Sequence, residues 1–282
     1  MPPELLSIFA GLASAVTYGA GDFSGGYASR RSRATMVVLV SQFSGLLILL
    51  LLALLQRAPL PPASDLLAAG IAGTLGTIGL VQYYQELSRG RMGVIAPLTA
   101  VVTVTIPVLY GSLSLGLPSP SQLVGMLLAL AAIYLITRAG SHAPVTRRDL
   151  GIVLVMGALF SVFLVTIGTV SARSIFWPLI ASRAASASFL LLFLLLNRRG
   201  SLTVVSGDRL ALMAFVGLLD IAGSSLFALS SAMGRLDIAS VLASLYPAVT
   251  VLLARFVLSE PINGRQWLGI LVAVAAIILI TL

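Results

Sequence analysis

The sequence contains no cysteine, no lysine and a single histidine, His142. Without cysteine there can be no disulfide, no thiolate metal site and no cysteine nucleophile. A lone histidine in a polar loop cannot assemble a metal site. Neither a cofactor nor a metal is therefore expected. Charge is also scarce, at 9% of 282 residues, far below what a soluble domain spreads over its surface. The formal net charge of +8 invites a nucleic-acid reading. However, all 17 basic residues are arginines, and they cluster at the ends of apolar runs. They form no basic stripe interleaved with exposed aromatics, so no nucleic-acid partner is expected. The opening Met1-Pro2-Pro3-Glu4 lacks the basic start of a secretory signal, and the first apolar run is expected to be retained as a span.

What the sequence does have is apolar length. Hydrophobic residues make up 59% of it, with a mean hydropathy of +1.08. A helix crossing the hydrocarbon core needs roughly 20 apolar residues. The runs 5–28, 34–56, 65–86, 92–111, 119–138, 149–171, 176–196, 208–232, 236–258 and 263–281 each meet that length. Ten spans predict an all-α integral membrane protein whose principal partner is the lipid bilayer.

The chain repeats itself. A constant shift of 144 pairs Gly73 with Gly217, Gly79 with Gly223, Gly125 with Gly269 and Gln122 with Gln266. It also pairs Gly90-Arg91 with Gly234-Arg235, and Leu135-Ile136-Thr137 with Leu279-Ile280-Thr281. Such an offset, held across loops, indicates duplication, with one copy in 1–138 and the other in 145–282. Five spans is an odd number, so the second copy must enter the membrane from the opposite side. The result is a pair of five-helix inverted-topology repeats around a central cavity, an arrangement that places a transporter's site near the midplane. Arginines favour the loops after odd-numbered spans (Arg30, Arg31, Arg33, Arg89, Arg91, Arg138, Arg147, Arg148, Arg198, Arg199, Arg209, Arg265) over those after even-numbered ones (Arg57, Arg173, Arg235). Basic loops face the cytoplasm, which puts both termini outside.

Spans 4 and 9 are equivalent under the shift, and both carry prolines: Pro97 and Pro107 in span 4, Pro247 in span 9. Proline removes a ladder hydrogen bond and clashes one turn back. Broken helices at matching positions of two halves point to a transport site, so these three prolines are the candidate helix breaks or gates. A kink that serves packing alone is the alternative. Polar residues, costly in lipid, mark the candidate substrate-binding positions. These are Asp22, Gln42, Thr99, Thr103 and Ser244, with Tyr18, Tyr83, Phe163 and Tyr246 as aromatic walls. Arg183 and Asp220 are also intramembrane charges, and either Asp22 or Asp220 could neutralise Arg183. Span 3 carries Gly70, Gly73, Gly76 and Gly79, a smooth strip that allows close helix approach. Spans 5 and 10 carry Gly125-x-x-x-Ala129 and Gly269-x-x-x-Ala273. They look peripheral; the chain is expected to be a monomer, with a homodimer through these faces left open.

The stretch from Pro247 through Leu258-Ser259-Glu260-Pro261 to Gln266-Trp267-Leu268-Gly269 resembles a pattern of the drug/metabolite transporter superfamily, specifically its EamA-like ten-helix members. The family's usual form is a mid-helix proline, then Leu-Gly-Glu, then Gln-x-x-Gly; Ser259 replaces the glycine here. Tyr18-Gly19 stands where the family often has Trp-Gly, and Gly116 stands in the first copy where the second has Glu260. Within the family the chain looks most like the YddG-type exporters. That resemblance implies a plasma (inner) membrane transporter, not an enzyme, that exports amino acids, aromatic and other neutral ones, by alternating access. It also implies a cavity lined by spans 1–4 and 6–9, with spans 3–4 rocking against 8–9. Export of another small metabolite or drug, such as a nucleobase, vitamin or sugar, is the alternative. An enzymatic alternative rests on Gly19-Ala20-Gly21-Asp22, which resembles the Gly-x-Gly-Asp of aspartyl intramembrane proteases and would need Asp220 as the second carboxylate.

Overall fold

The computed structural model describes residues 3–89, 92–138, 146–197, 207–258 and 264–281. His142, the Gly90-Arg91 pair and Ser259-Glu260-Pro261 lie outside them. The described residues form helices and no strands: α1 (Pro3–Ser29), α2 (Ala34–Leu55), α3 (Ala63–Ser88), α4 (Met92–Leu115), α5 (Pro120–Arg138), α6 (Arg147–Val170), α7 (Phe176–Leu196), α8 (Gly207–Met233), α9 (Leu236–Ala243), α10 (Tyr246–Leu258) and α11 (Gly264–Thr281). Among the described residues, eight spans are long and apolar enough to cross a membrane when α9 and α10 are taken as one, and Pro120–Ala132 of α5 is a shorter apolar stretch.

Local chemistry sets several helix ends. Thr146 and Asp149 form a reciprocal capping box at the start of α6: the Thr146 hydroxyl accepts from the Asp149 N–H at 3.3 Å, and the Asp149 carboxylate accepts from the Thr146 N–H at 2.9 Å. Two orphan donors of the first turn are thereby satisfied. At the end of α4, Gly116 takes φ +77°, the left-handed stop that glycine adopts without a Cβ penalty.

Contacts across the bundle show how the copies thread. Ser7, near the start of α1, hydrogen-bonds Ser230, near the end of α8. Arg235, just before α9, donates to the Gly116 carbonyl at 2.6 Å, just after α4. Arg173, just past α6, pairs with Asp65 in the first turn of α3 at 2.8 Å. A Cβ on Gly168 of α6 would press on Ser231 and Leu236. One face therefore holds the starts of α1, α3 and α9 together with the ends of α4, α6 and α8. The first copy enters the membrane from this face and the second copy exits through it, so the repeats are inverted.

The packing exchanges in pairs. Helix α1 packs on α8 as α6 packs on α3; α2 packs on α8 as α7 packs on α3; α4 packs on α6 as α9 and α10 pack on α1. Gly73 and Gly217, matched by the 144 shift, each press on serines of the other copy: Gly73 on Ser182, Gly217 on Ser41 and Ser44. Gly79 and Gly223 likewise meet aromatic rings of the other copy, Phe160 and Tyr18. The two copies interlock, and the main partners of each helix lie in the opposite repeat. Helices α5 and α11 pack on each other at the edge. Gly125, Ala129 and Gly269 are buried there, so these small residues serve a seam within one chain.

The prolines behave unequally. Span 9 breaks as expected: α9 stops at Ala243 and α10 starts at Tyr246, one residue before Pro247. Span 4 does not break, contrary to the expectation; α4 runs through both Pro97 and Pro107. The reason is visible at Pro107, whose missing N–H leaves the Thr103 carbonyl without its helical donor. The Ser161 hydroxyl, on α6, stands 2.9 Å from that carbonyl. Membrane helices tolerate proline where a neighbouring hydroxyl satisfies the freed backbone group. Gly157 allows the approach, because a Cβ there would collide with Val102 of α4.

Candidate functional site

Near the middle of the bundle lies a cavity of about 100 Å³. Among the described residues, its wall takes members of α1, α2, α3, α4, α6, α7, α8, α9 and α10, and none of α5 or α11. Both repeats therefore build it. The glycine strip of α3 forms one side. Gly73 and Gly76 line the cavity, and the missing side chain of Gly73 lets α3 lie close to Ser182 of α7.

Arg183 of α7 is the polar centre of the wall. Its Nη1 donates to the Asp220 carboxylate of α8 at 2.6 Å and to the Gln42 amide oxygen of α2 at 2.9 Å. Its Nη2 donates to the Ser224 hydroxyl at 2.8 Å. The pair is almost dry, with the Arg183 and Asp220 side chains 6% and 15% exposed. A buried charge persists when it is paired and its hydrogen bonds are filled, and this network meets that condition on every group but one: the Arg183 Nε is buried without a partner. The network extends outward. Tyr18 donates to the Ser224 hydroxyl at 3.1 Å, and the Gln42 amide nitrogen reaches Thr77 of α3 at 3.3 Å. Helices α1, α2, α3, α7 and α8 are tied together at one polar point inside an apolar bundle.

Of the two carboxylates that could neutralise Arg183, the structure selects Asp220. Asp22 instead accepts from the Tyr83 hydroxyl at 3.1 Å. This division also bears on the protease alternative. Two-carboxylate chemistry needs a pair that shares a proton, and Asp220 is committed to a guanidinium.

Tyr18, Tyr83, Phe160, Phe163 and Tyr246 add aromatic rings to the wall. Tyr83 is buried and stands edge-on to Phe160, with ring centroids 5.7 Å apart. Tyr246 is also buried, lines the cavity and donates to the Ala96 carbonyl of α4 at 3.1 Å. That bond ties the bend of span 9 to the equivalent element of the other copy. The α1 backbone closes on the same bend. A Cβ on Gly19 would stand 2.5 Å from the Tyr246 carbonyl and 2.6 Å from the Val249 Cβ, and the Thr250 hydroxyl donates to the Gly19 carbonyl at 3.1 Å.

The candidate residues named from the sequence divide by position. Tyr18, Asp22, Gln42, Tyr83, Thr103, Phe163, Ser244 and Tyr246 stand on the cavity wall. Thr99 does not; it is buried with an unpartnered hydroxyl, one turn along α4 from Thr103. Four residues on a helix share a side but differ in depth by about 6 Å, and the cavity ends between them. Pro107 and Pro247 are not among the described residues that line the cavity. Residues that the candidate set lacked include Arg183, Asp220, Thr77, Ser224 and Phe160. An intramembrane arginine and aspartate were the available signal for the first two. Thr77 and Ser224 are unexceptional hydroxyls in sequence, and only the fold brings them to the wall or its network.

Comparison with known proteins agrees with this architecture. No curated protein sequence matches the chain. A solved crystal structure matches with a TM-score of 0.75 at 15% identity, covering 98% of this chain and 95% of its own; at that identity the likeness concerns the fold. The model of the EamA-like transporter family matches twice, over residues 5–138 and 149–282. With both copies matched, nearly the whole sequence is accounted for, and the chain belongs to the EamA-like transporter family.

Proposed function

We propose that this membrane transporter exports amino acids, aromatic and other neutral ones, across the plasma membrane by alternating access. The observation that carries the reading is the composition of the shared cavity. The polar groups of Asp22, Gln42 and Thr77 stand with the rings of Tyr83, Phe160, Phe163 and Tyr246 around one space. Polar groups suit the backbone groups of an amino acid, and apolar rings suit its side chain; ligand sites of this kind combine an apolar wall with a few converging polar groups. Ser244 and the carbonyl of Ala243, which Pro247 leaves without its helical donor, add acceptors at the bend. The resemblance to YddG-type exporters supports the same substrate class. The arginine bias supports an orientation with both termini outside.

Counterflow in proteoliposomes tests the reading. Vesicles preloaded with unlabelled phenylalanine are expected to accumulate labelled phenylalanine transiently, and leucine to do so more weakly. A pH gradient imposed in parallel reports proton coupling. If no amino acid in a full panel is exchanged while nucleobases or sugars are, the substrate assignment is wrong and the family assignment stands.

A further inference from the structure

The ionisable groups of the cavity wall do not all pair off. Among the described residues it carries two carboxylates, Asp22 and Asp220, and one guanidinium, Arg183. Arg183 is taken by Asp220 at 2.6 Å, with Gln42 and Ser224 filling other donors. Asp22 has the Tyr83 hydroxyl and no described ion pair. A phenol stabilises a carboxylate but does not neutralise it. A charged group within a span costs on the order of 2.5–3.5 kcal/mol on insertion scales and marks a functional position unless a partner removes the cost. Among the described residues of the wall, no such partner stands at Asp22. The surroundings favour a particular kind of visitor. Tyr18, Tyr83, Phe160, Phe163 and Tyr246 share the wall with Asp22, and ring faces attract cations where water is excluded. An anion has no comparable welcome, since reaching Arg183 would require displacing Asp220.

We propose that the cavity selects its ligand by a protonated amine received at Asp22, and that a carboxylate on the ligand is tolerated rather than required. The inference rests on the reading of the cavity as the transport site, and it deepens that reading by naming the group that is recognised. A zwitterionic amino acid satisfies it through its ammonium. An aromatic amine without a carboxylate satisfies it equally.

Three probes that differ in one charged group separate the possibilities: phenylalanine, phenethylamine and 3-phenylpropionate. Each is titrated calorimetrically into the purified full-length transporter. Phenethylamine and phenylalanine are expected to bind with affinities within a few-fold of each other, and 3-phenylpropionate roughly 10–100-fold more weakly, the range a lost charge-assisted contact produces. Asp22→Asn keeps an acceptor for Tyr83 and is expected to weaken both amines by a similar factor. Asp22→Glu is expected to retain them, and Asp208→Asn, at the exposed start of α8, to leave all three unchanged. Should Asp22→Asn fail to fold, the wild-type ranking of the probes still decides the matter. Binding of 3-phenylpropionate as tight as that of phenethylamine overturns the inference, as does failure of both amines to bind. Binding of phenethylamine without phenylalanine leaves it standing and removes the amino-acid reading instead.

Discussion

At Ser161 a single hydroxyl decides whether a proline breaks a helix. Its proton is shared among the Thr103 carbonyl at 2.9 Å, the Gly157 carbonyl of its own helix at 2.7 Å and the Val102 carbonyl at 3.3 Å. Only the first of these answers a vacancy, the one created by Pro107. Ser161→Ala is therefore expected to cost about 1–3 kcal/mol, the penalty of an unsatisfied buried acceptor. In a Pro107→Ala background the new N–H can reach Thr103 itself, and the same substitution is expected to cost less. A double-mutant cycle on thermal stability in detergent measures the difference; strictly additive effects would show that the hydroxyl does not serve the proline. The Arg183–Asp220 pair obeys a related rule. Arg183→Gln alone strands a buried carboxylate and is expected to lose about 3–5 kcal/mol, whereas Arg183→Gln with Asp220→Asn is expected to recover most of it. Equal instability of the single and double variants would contradict this, and transport retained by the double variant would leave the pair a structural role only.

At the scale of the helix, legibility in the sequence depended on whether the cause was local. Helix lengths and the inverted duplication are written in consecutive residues or in a constant spacing, and they read directly. The break of span 9 was legible because it follows from its own proline. The intact span 4 was not, because the compensating Ser161 lies on another helix, 54 positions from Pro107 in a chain whose fold must first be known. The same limit explains Thr99, which shares a helix side with Thr103 but not its depth. It also explains Thr77 and Ser224, whose polarity becomes informative only beside Gln42 and Arg183. Close approaches between helices carry a further prediction. A methyl group at Gly19 has no room against Tyr246 and Val249 of α10, and such overpacking costs about 1–3 kcal/mol. Gly19→Ala is expected to lower the melting temperature and to reduce flux by moving the bend of span 9. Gly207→Ala, where a Cβ meets no atom of the described residues within 4 Å, is the matched control and is expected to be silent. Equal stability of the two variants would mean that α1 and α10 do not depend on that contact.

For the whole molecule, two interlocked copies around one cavity can move only by exchanging contacts between them, and the face that carries the start of α1 is held by such contacts. Arg173 reaches from the second copy to Asp65 of the first. Arg235 pairs with the fully buried Asp237 and, with the same guanidinium, donates to the Gly116 carbonyl at the end of α4. Lysine at position 235 keeps the charge beside Asp237 but lacks the planar fork that serves both acceptors. The combined variant Asp65→Asn with Arg235→Lys is therefore expected to loosen this face while leaving the bundle folded. The Arg173–Asp65 pair, whose guanidinium is largely exposed, contributes about 1 kcal/mol or less, and a loss of that size shifts an open-to-closed ratio by roughly fivefold. The absence of cysteine makes the shift measurable, because one introduced thiol is the only thiol in the chain. Thr103→Cys places it on the cavity wall, at a position 4% exposed in this conformation. A membrane-impermeant maleimide added from the α1-start side is expected to label the Thr103→Cys protein slowly in the parent background. Labelling is expected to be several-fold faster with the two clamp substitutions, with no matching rise from the other side. Acceleration from both sides alike would indicate general loosening, and no acceleration would mean that these contacts do not hold the face shut.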